Sequence, residues 1–192
     1  MKITYLAAPV LATASLLLSN CAHEPVTQTN ASNASASKIA GDSRAALNSL
    51  YAENPSARRM GNHAAGVLVF PHIWKGAFIF GAEGGNGTLF VNNRVHGYYQ
   101  TAGGSWGLQA GVQKSGYALF LFDRSALSHL NDAAGWDLGS QPGLTIVDRG
   151  GSAALTAKTL DKGVYAYTFG QKGLMADVSL KGSKITRIHP GN

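Results

Sequence analysis

The sequence has a single cysteine, Cys21, among its 192 residues. No intramolecular disulfide and no cysteine-based metal site can form. Charge is scarce at 14%. Apolar residues make up 45%, enough for a real core, so the body of the chain is not disordered. The six histidines, His23, His63, His72, His96, His129 and His189, form no i, i+4 pair and no carboxylate cluster of metal-binding spacing. No metal and no cofactor are expected. Glu83, Asp123 and Asp148 are isolated carboxylates, so spacing offers no paired acid–base site. Gly81 to Gly87 is glycine-rich but lacks the Gly-Lys-Ser/Thr ending of a phosphate loop and precedes a strand pattern. It reads as a hairpin turn. No nucleic-acid recognition motif is present, and no nucleic-acid partner is expected.

One enzyme-like motif remains. Gly103-Gly104-Ser105-Trp106-Gly107 matches G-x-S-x-G, with Asp148 and His189 following in hydrolase order. That motif needs a strand turning sharply into a helix. Gly107, Gly111 and Gly116 follow, each opposing a helix by about 1 kcal/mol. A serine hydrolase using Ser105 is therefore the weakest of the functional readings, and no catalytic residue is assigned.

Long apolar runs are also missing, apart from Ile3 to Leu18 behind the positive start Met1-Lys2. That run is short for a membrane-spanning helix and suits a signal segment. Leu18-Ser19-Asn20-Cys21 resembles the bacterial lipobox, in which the cysteine becomes the acylated first residue of the mature protein. Residues 1–20 are then a lipoprotein signal peptide, and Cys21 a lipid anchor of palmitate type. Asn20 stands where Gly or Ala is usual. Ala22 follows the cysteine, with no aspartate to signal inner-membrane retention, so the resemblance implies the outer membrane, facing the periplasm or the cell surface. Residues 21–37 are rich in Ala, Ser, Asn and Thr and read as a flexible tether.

What is present in abundance is strand texture. Val67 to Phe70, Ala77 to Phe80, Thr88 to Val91, His96 to Thr101 and Tyr117 to Phe122 are short apolar or aromatic runs between glycine-rich breaks. Leu144 to Val147, Val164 to Phe169, Leu174 to Leu180 and Ile185 to Ile188 continue the pattern. Tyr165, Tyr167 and Phe169 alternate with smaller residues, so one face carries the rings. Three helices are predicted. The first is capped by Asp42 or Ser43 and runs to about Tyr51. The second has Asn54 as cap and Pro55 as first residue, and ends near 63–65. The third spans Asp123 to Ala134, with Gly135 as stop. Trp136 and Leu138 then fold back on the core. The expected fold is α+β: a strongly curved antiparallel sheet or barrel-like β core with about three packed helices.

Charge is unevenly placed. Arg149 to Asn192 holds seven basic and two acidic residues, whereas Gly66 to Asp148 holds four basic and five acidic. A basic end on a nearly neutral core suits an anionic partner surface.

Gly66-Val67-Leu68-Val69-Phe70-Pro71, Lys75-Gly76, Gly97-Tyr98-Tyr99, the series Ser105, Gly107, Gln109, Gly111, Gln113, and Gln171-Lys172-Gly173-Leu174-Met175-Ala176 with Ser179, Gly182 and Ile185 resemble the SYLF domain family. The resemblance covers nearly all of 38–192. Ala77, Ile79 and Asp177 stand where the family commonly has glycine. The resemblance implies a non-catalytic domain. Similar eukaryotic domains bind phosphoinositides, and some fungal ones bind actin. Carried over by position, it offers Arg44, Arg58, Arg59, Trp74 and Lys75 as phospholipid-binding candidates. Trp74 has the apolar body and polar N–H of an interfacial residue. The expected partner is an anionic phospholipid membrane. The rival from another class is a structural or protein-interaction module of the cell envelope, with an envelope protein as partner. Oligomeric state is left open.

Overall fold

The computed structural model describes residues 34–76, 81–105, 114–147, 163–169 and 182–191. Among these residues three helices and eight strands follow in the order α1 (Ala36–Glu53), α2 (Pro55–His63), β1 (Gly66–Gly76), β2 (Gly81–Val91), β3 (Arg94–Ser105), β4 (Lys114–Leu121), α3 (Arg124–His129), β5 (Trp136–Asp137), β6 (Leu144–Val147), β7 (Val164–Phe169) and β8 (Ser183–Ile188). The expected strands at 77–80 and 174–180 lie outside the described residues.

All eight strands join one sheet, ordered β5-β8-β3-β2-β1-β4-β7-β6. Every pairing is antiparallel except β6 with β7, which is parallel. The sheet has to curl. Laid flat, eight strands at about 4.8 Å spacing would hold their edges roughly 34 Å apart. The edge strands β5 and β6 are joined by residues 138–143 alone, a reach of about 25 Å at full extension. Turn bonds shorten that reach further: the Leu138 N–H donates to the Ser183 carbonyl at 3.0 Å, and Gln141 N–H to Leu138 at 3.3 Å. The α+β curled sheet expected from the sequence is what forms.

Period-two alternation divides the side chains between two cores. Leu68, Phe70, Ile73, Leu89, Tyr117, Leu119, Leu121, Val164, Ala166 and Ile185 fill the inside of the curl, with Ala126 and Leu130 of the α3 region closing one end. Val67, Val69, Ala118, Phe120, Tyr165 and Tyr167 point outward, under Leu47 and Leu50 of α1 and Ala57 and Met60 of α2. The ring-bearing face of β7 is therefore the helix-covered one. Trp136 and Leu138 are buried in the inner core, as the sequence implied.

Three boundaries differ from expectation. α1 starts at Ala36, not at Asp42 or Ser43. Ser35 caps it by accepting the Lys38 N–H at 3.3 Å. An Ala/Ser-rich stretch reads as tether in isolation, but it propagates once the helix docks on the sheet. Asp123 does cap α3, accepting from Ser125 N–H at 3.0 Å, but the helix ends at His129 and the chain passes through turns to Gly135. The largest correction concerns Gly81 to Gly87. This segment is no hairpin turn; it is the first half of β2, paired with both β1 and β3. Its glycines permit close approach. A Cβ on Gly85 would lie 2.2 Å from the His72 carbonyl oxygen, and one on Gly87 would lie 2.4 Å from that of Val69. The true hairpin turn is Asn92-Asn93. Both residues take positive φ, 50° and 62°, which suits a two-residue turn of primed type.

Candidate functional site

Asn54 sets the geometry of the helical corner. It ends α1 and precedes Pro55, the first residue of α2. Proline is preorganised there and lacks the N–H that a helix start leaves unpaired. The Asn54 side chain caps nothing in α2. Its Nδ2 donates to the Leu50 carbonyl at 3.3 Å, and its Oδ1 accepts the Tyr167 O–H at 2.8 Å. One side chain thus ties the end of α1 to β7.

Helical periodicity then sorts α2 into two faces. Ala57 and Met60 are buried, while Arg58 and Arg59 are exposed. Arg59 donates to Ser56 Oγ at 2.9 Å. Arg58 lies over the ring of Tyr51 on α1, 6.0 Å from its centroid. Tyr51 in turn rests on Gly61. A Cβ there would stand 1.8 Å from the phenolic oxygen, so only glycine leaves room for this ring. Burial pushes the Tyr51 pKa up to about 12, against the opposing pull of Arg44 and Arg58. The phenol is therefore a neutral donor at any physiological pH.

Arg44 approaches the same tyrosine from α1, but its guanidinium has another task. It hydrogen-bonds Asn93 Oδ1, donates to the Asn93 carbonyl at 2.7 Å, and stacks 4.1 Å above the Phe90 ring. It clamps α1 to the β2–β3 turn and adds positive field near Tyr51.

Of the five candidates, Arg58 lies over Tyr51 with Arg59 next to it on α2, whereas the Arg44 guanidinium is held at Phe90 and Asn93 and acts on Tyr51 through its charge. Trp74 is elsewhere. It is half-buried on β1, five residues past Val69, beyond an irregularity in the ladder, with its ring 6.5 Å from that of His72. Lys75 sits in register with Glu83; its side chain, like Cys21 and the whole expected signal segment, lies outside the described residues. Tyr51 and Gly61 were not singled out from the sequence. A tyrosine in a helix and a glycine ten residues later carry no joint signal until the Asn54-Pro55 break folds one helix against the other.

A second polar group lies inside the curl. Tyr117 donates to Thr101 Oγ1 at 2.9 Å, and Ser183 donates to the buried Glu83 Oε1 at 3.1 Å. Burial holds the Tyr117 phenol protonated well above its ordinary range. These bonds satisfy groups that would otherwise be costly inside an apolar barrel.

The strand register keeps Ser105 and His189 apart, and Asp148 lies outside the described residues. Ser105 is the last residue of β3, laddered opposite Gly81. His189 follows Ile188, which pairs with Tyr98 near the other end of the same strand. Seven residue steps along the strand separate Tyr98 from Ser105, roughly 24 Å. Among the described residues no group of three His, Cys, Asp or Glu side chains is placed to hold a metal. No described helix is long and apolar enough to cross a membrane.

Residues 102–192 match the Ysc84 family, described as "Las17-binding protein actin regulator". The chain is also 30% identical over 156 residues to Beta cell expansion factor A of Aeromonas veronii. That alignment takes in 77% of this chain and 58% of the relative, so the chain spans little more than half the length of the protein it matches. The family is linked to lipid and to actin or protein binding and is not a known enzyme family. By these matches, residues 102–192 carry the Ysc84 (SYLF) domain, and the ordered motifs from Gly66 to Ile185 resemble the same family.

Proposed function

We propose that this chain is a bacterial envelope lipoprotein, held by Cys21 in the outer membrane, whose SYLF domain binds anionic phospholipid without catalysis. The observation that carries the reading is the outward face of α2. Arg58 and Arg59 stand there side by side, exposed, while Ala57 and Met60 fix the helix to the sheet. Among the described residues neither arginine is paired with a carboxylate. Each basic residue near an anionic bilayer contributes about 1 kcal/mol. Two on one rigid face, backed by the field of Arg44, add usefully to an acyl chain that alone binds only marginally.

The test separates domain from anchor. The fragment 35–192 cannot use acylation. It is expected to bind vesicles containing phosphatidylglycerol, to bind neutral vesicles little, and to be released by high salt. Replacing Arg58 and Arg59 together with Gln should weaken binding by about thirtyfold, or about 2 kcal/mol. Replacing Lys158 and Lys162 instead should cost clearly less. Equal losses would leave only diffuse attraction. For the anchor, Cys21→Ser should move the full protein from the membrane fraction to the soluble one. Intact-mass measurement should find acyl groups on a chain beginning at Cys21, and an unmodified chain keeping residues 1–20 would reject the anchor.

The rival reading, a protein-interaction module, is favoured by one observation: the matching family's own description is of a binding and regulatory role toward protein. Absence of vesicle binding by the fragment at low salt would promote it.

A further inference from the structure

Two arginines act on one phenol at the corner between α1 and α2. Arg58 reaches it from α2 and lies over the Tyr51 ring. Arg44 reaches it from α1 and acts on the same phenol electrostatically. The Tyr51 hydroxyl sits against Gly61, at a position that any side chain there would close. Among the described residues this hydroxyl has no hydrogen-bond partner, although the Tyr117 and Tyr167 hydroxyls are satisfied. A neutral O–H donor with Arg58 over its ring, the Arg44 charge acting on it and no carboxylate acting on it is complementary to an oxyanion.

We infer that Tyr51, Arg58 and Arg44 form a discrete site for a phosphomonoester, the terminal phosphate of either a lipid head group or a soluble phosphate ester. The Tyr51 hydroxyl and the Arg58 guanidinium donate to the phosphate oxygens. Arg44, whose fork is held by Asn93, supplies charge without donating. A phosphomonoester carries close to two negative charges and three free oxygens at neutral pH. A phosphodiester carries one charge and two free oxygens, so it matches two guanidiniums and a donor less well. Arg59 is turned to Ser56 and lies outside the site. It contributes to general membrane attraction only. This inference rests on the phospholipid-binding reading but makes a sharper demand: preference by phosphate type at equal charge.

The experiment uses the full chain in neutral detergent micelles, so that the anchor is equally accommodated in every sample. The micelles are doped with phosphatidic acid, a monoester, or with phosphatidylglycerol, a diester, at matched total charge. Binding is read from phosphorus NMR of the lipid. Phosphatidic acid is expected to bind about tenfold more tightly, and inorganic phosphate to compete with it. Tyr51→Phe should abolish the preference while leaving the weaker phosphatidylglycerol binding intact. Gly61→Ala, which changes no charge and displaces the ring, should do the same, and the thermal midpoint of each variant reports whether the fold survives. Arg59→Gln should lower both affinities together and keep their ratio. Equal affinity for the two lipids, or a preference that survives Tyr51→Phe, overturns the site and leaves the general lipid reading standing. Binding of inorganic phosphate without lipid binding supports the site with a soluble ligand and rejects the membrane reading. No response to either lipid or to phosphate overturns both.

Discussion

The two faces of the one sheet are built from the same strands but do different work. The inner face is filled by Leu68, Phe70, Leu119, Leu121 and Val164, which come from neighbouring strands, with Ala126 and Leu130 closing one end. The outer face, with Val69, Phe120, Tyr165 and Tyr167, is buried only because α1 and α2 lie on it. The difference is one of dependence. Inner burial follows from curling the sheet, whereas outer burial requires two helices to hold station. Those helices carry the exposed arginines on their far side. The candidate site therefore belongs to the face whose packing is conditional, and its geometry depends on Asn54, Arg44 and Gly61, which set how the helices sit.

The comparison breaks most sharply on β4, where Leu119 and Phe120 are adjacent, fully buried, and belong to opposite faces. Leu119→Ala should cost about 2–5 kcal/mol and Phe120→Ala about 3–5 kcal/mol in denaturant unfolding. A large effect at Leu119 with none at Phe120 would mean that the helices are not part of the cooperative unit.

A smaller effect is expected from two glycines of opposite character. Gly87→Ala drives a methyl against the Val69 carbonyl and the Phe70 ring, and neither backbone nor packed ring can yield cheaply. A loss of about 1–3 kcal/mol is expected. Gly41 lies exposed in α1, and a methyl added there would meet nothing within 4 Å. Gly41→Ala should raise stability by roughly 0.5–1 kcal/mol through helix propensity alone. Thermal midpoints moving in the same direction for both would contradict the placement of one of them.

The last effect vanishes at neutral pH. Tyr117 in the inner core and Tyr51 on the outer corner both have folded-state pKa values raised chiefly by burial. A raised phenol pKa means that the native state keeps a proton the unfolded chain has lost. The stabilisation is fully present below the unfolded value of about 10 and is lost as pH rises through the folded value, about 12 for Tyr51. Tyr117→Phe should flatten the alkaline fall in thermal midpoint between about pH 10 and 12. Tyr51→Phe should flatten it less, since Tyr51 is only half-buried and its two arginines already favour the phenolate. The reverse order would place the more buried phenol on the wrong face.

Much of this architecture was legible in one dimension. The alternation of Tyr165 and Tyr167 with Val164 and Ala166 assigned β7 its two faces, and Asn54-Pro55 marked the start of α2 without ambiguity. The misreadings share one cause. Gly81 to Gly87 has every local mark of a turn, because glycine in a turn and glycine in a strand pressed against a neighbouring backbone look identical in sequence. Only the nearness of His72 and Val69 across the ladder distinguishes them. The start of α1 was missed for a related reason: 36–41 has little helical signal of its own, and what holds it is docking, with Ile39 buried and the Ala36 N–H bonded to Gly191 at the far end of the chain.

The sequence by itself determined the periods, and hence which residues of a strand share a face, and the α+β class. Period is a property of neighbours along the chain. Tertiary structure decided which faces meet: that the sheet curls until six residues suffice to join β5 to β6, that Arg44 spends its hydrogen bonds on Asn93, and that Tyr51 settles on Gly61 beneath Arg58. Those are contacts between residues on different elements, or between the two edges of a sheet. Their energies depend on distances that no local pattern encodes.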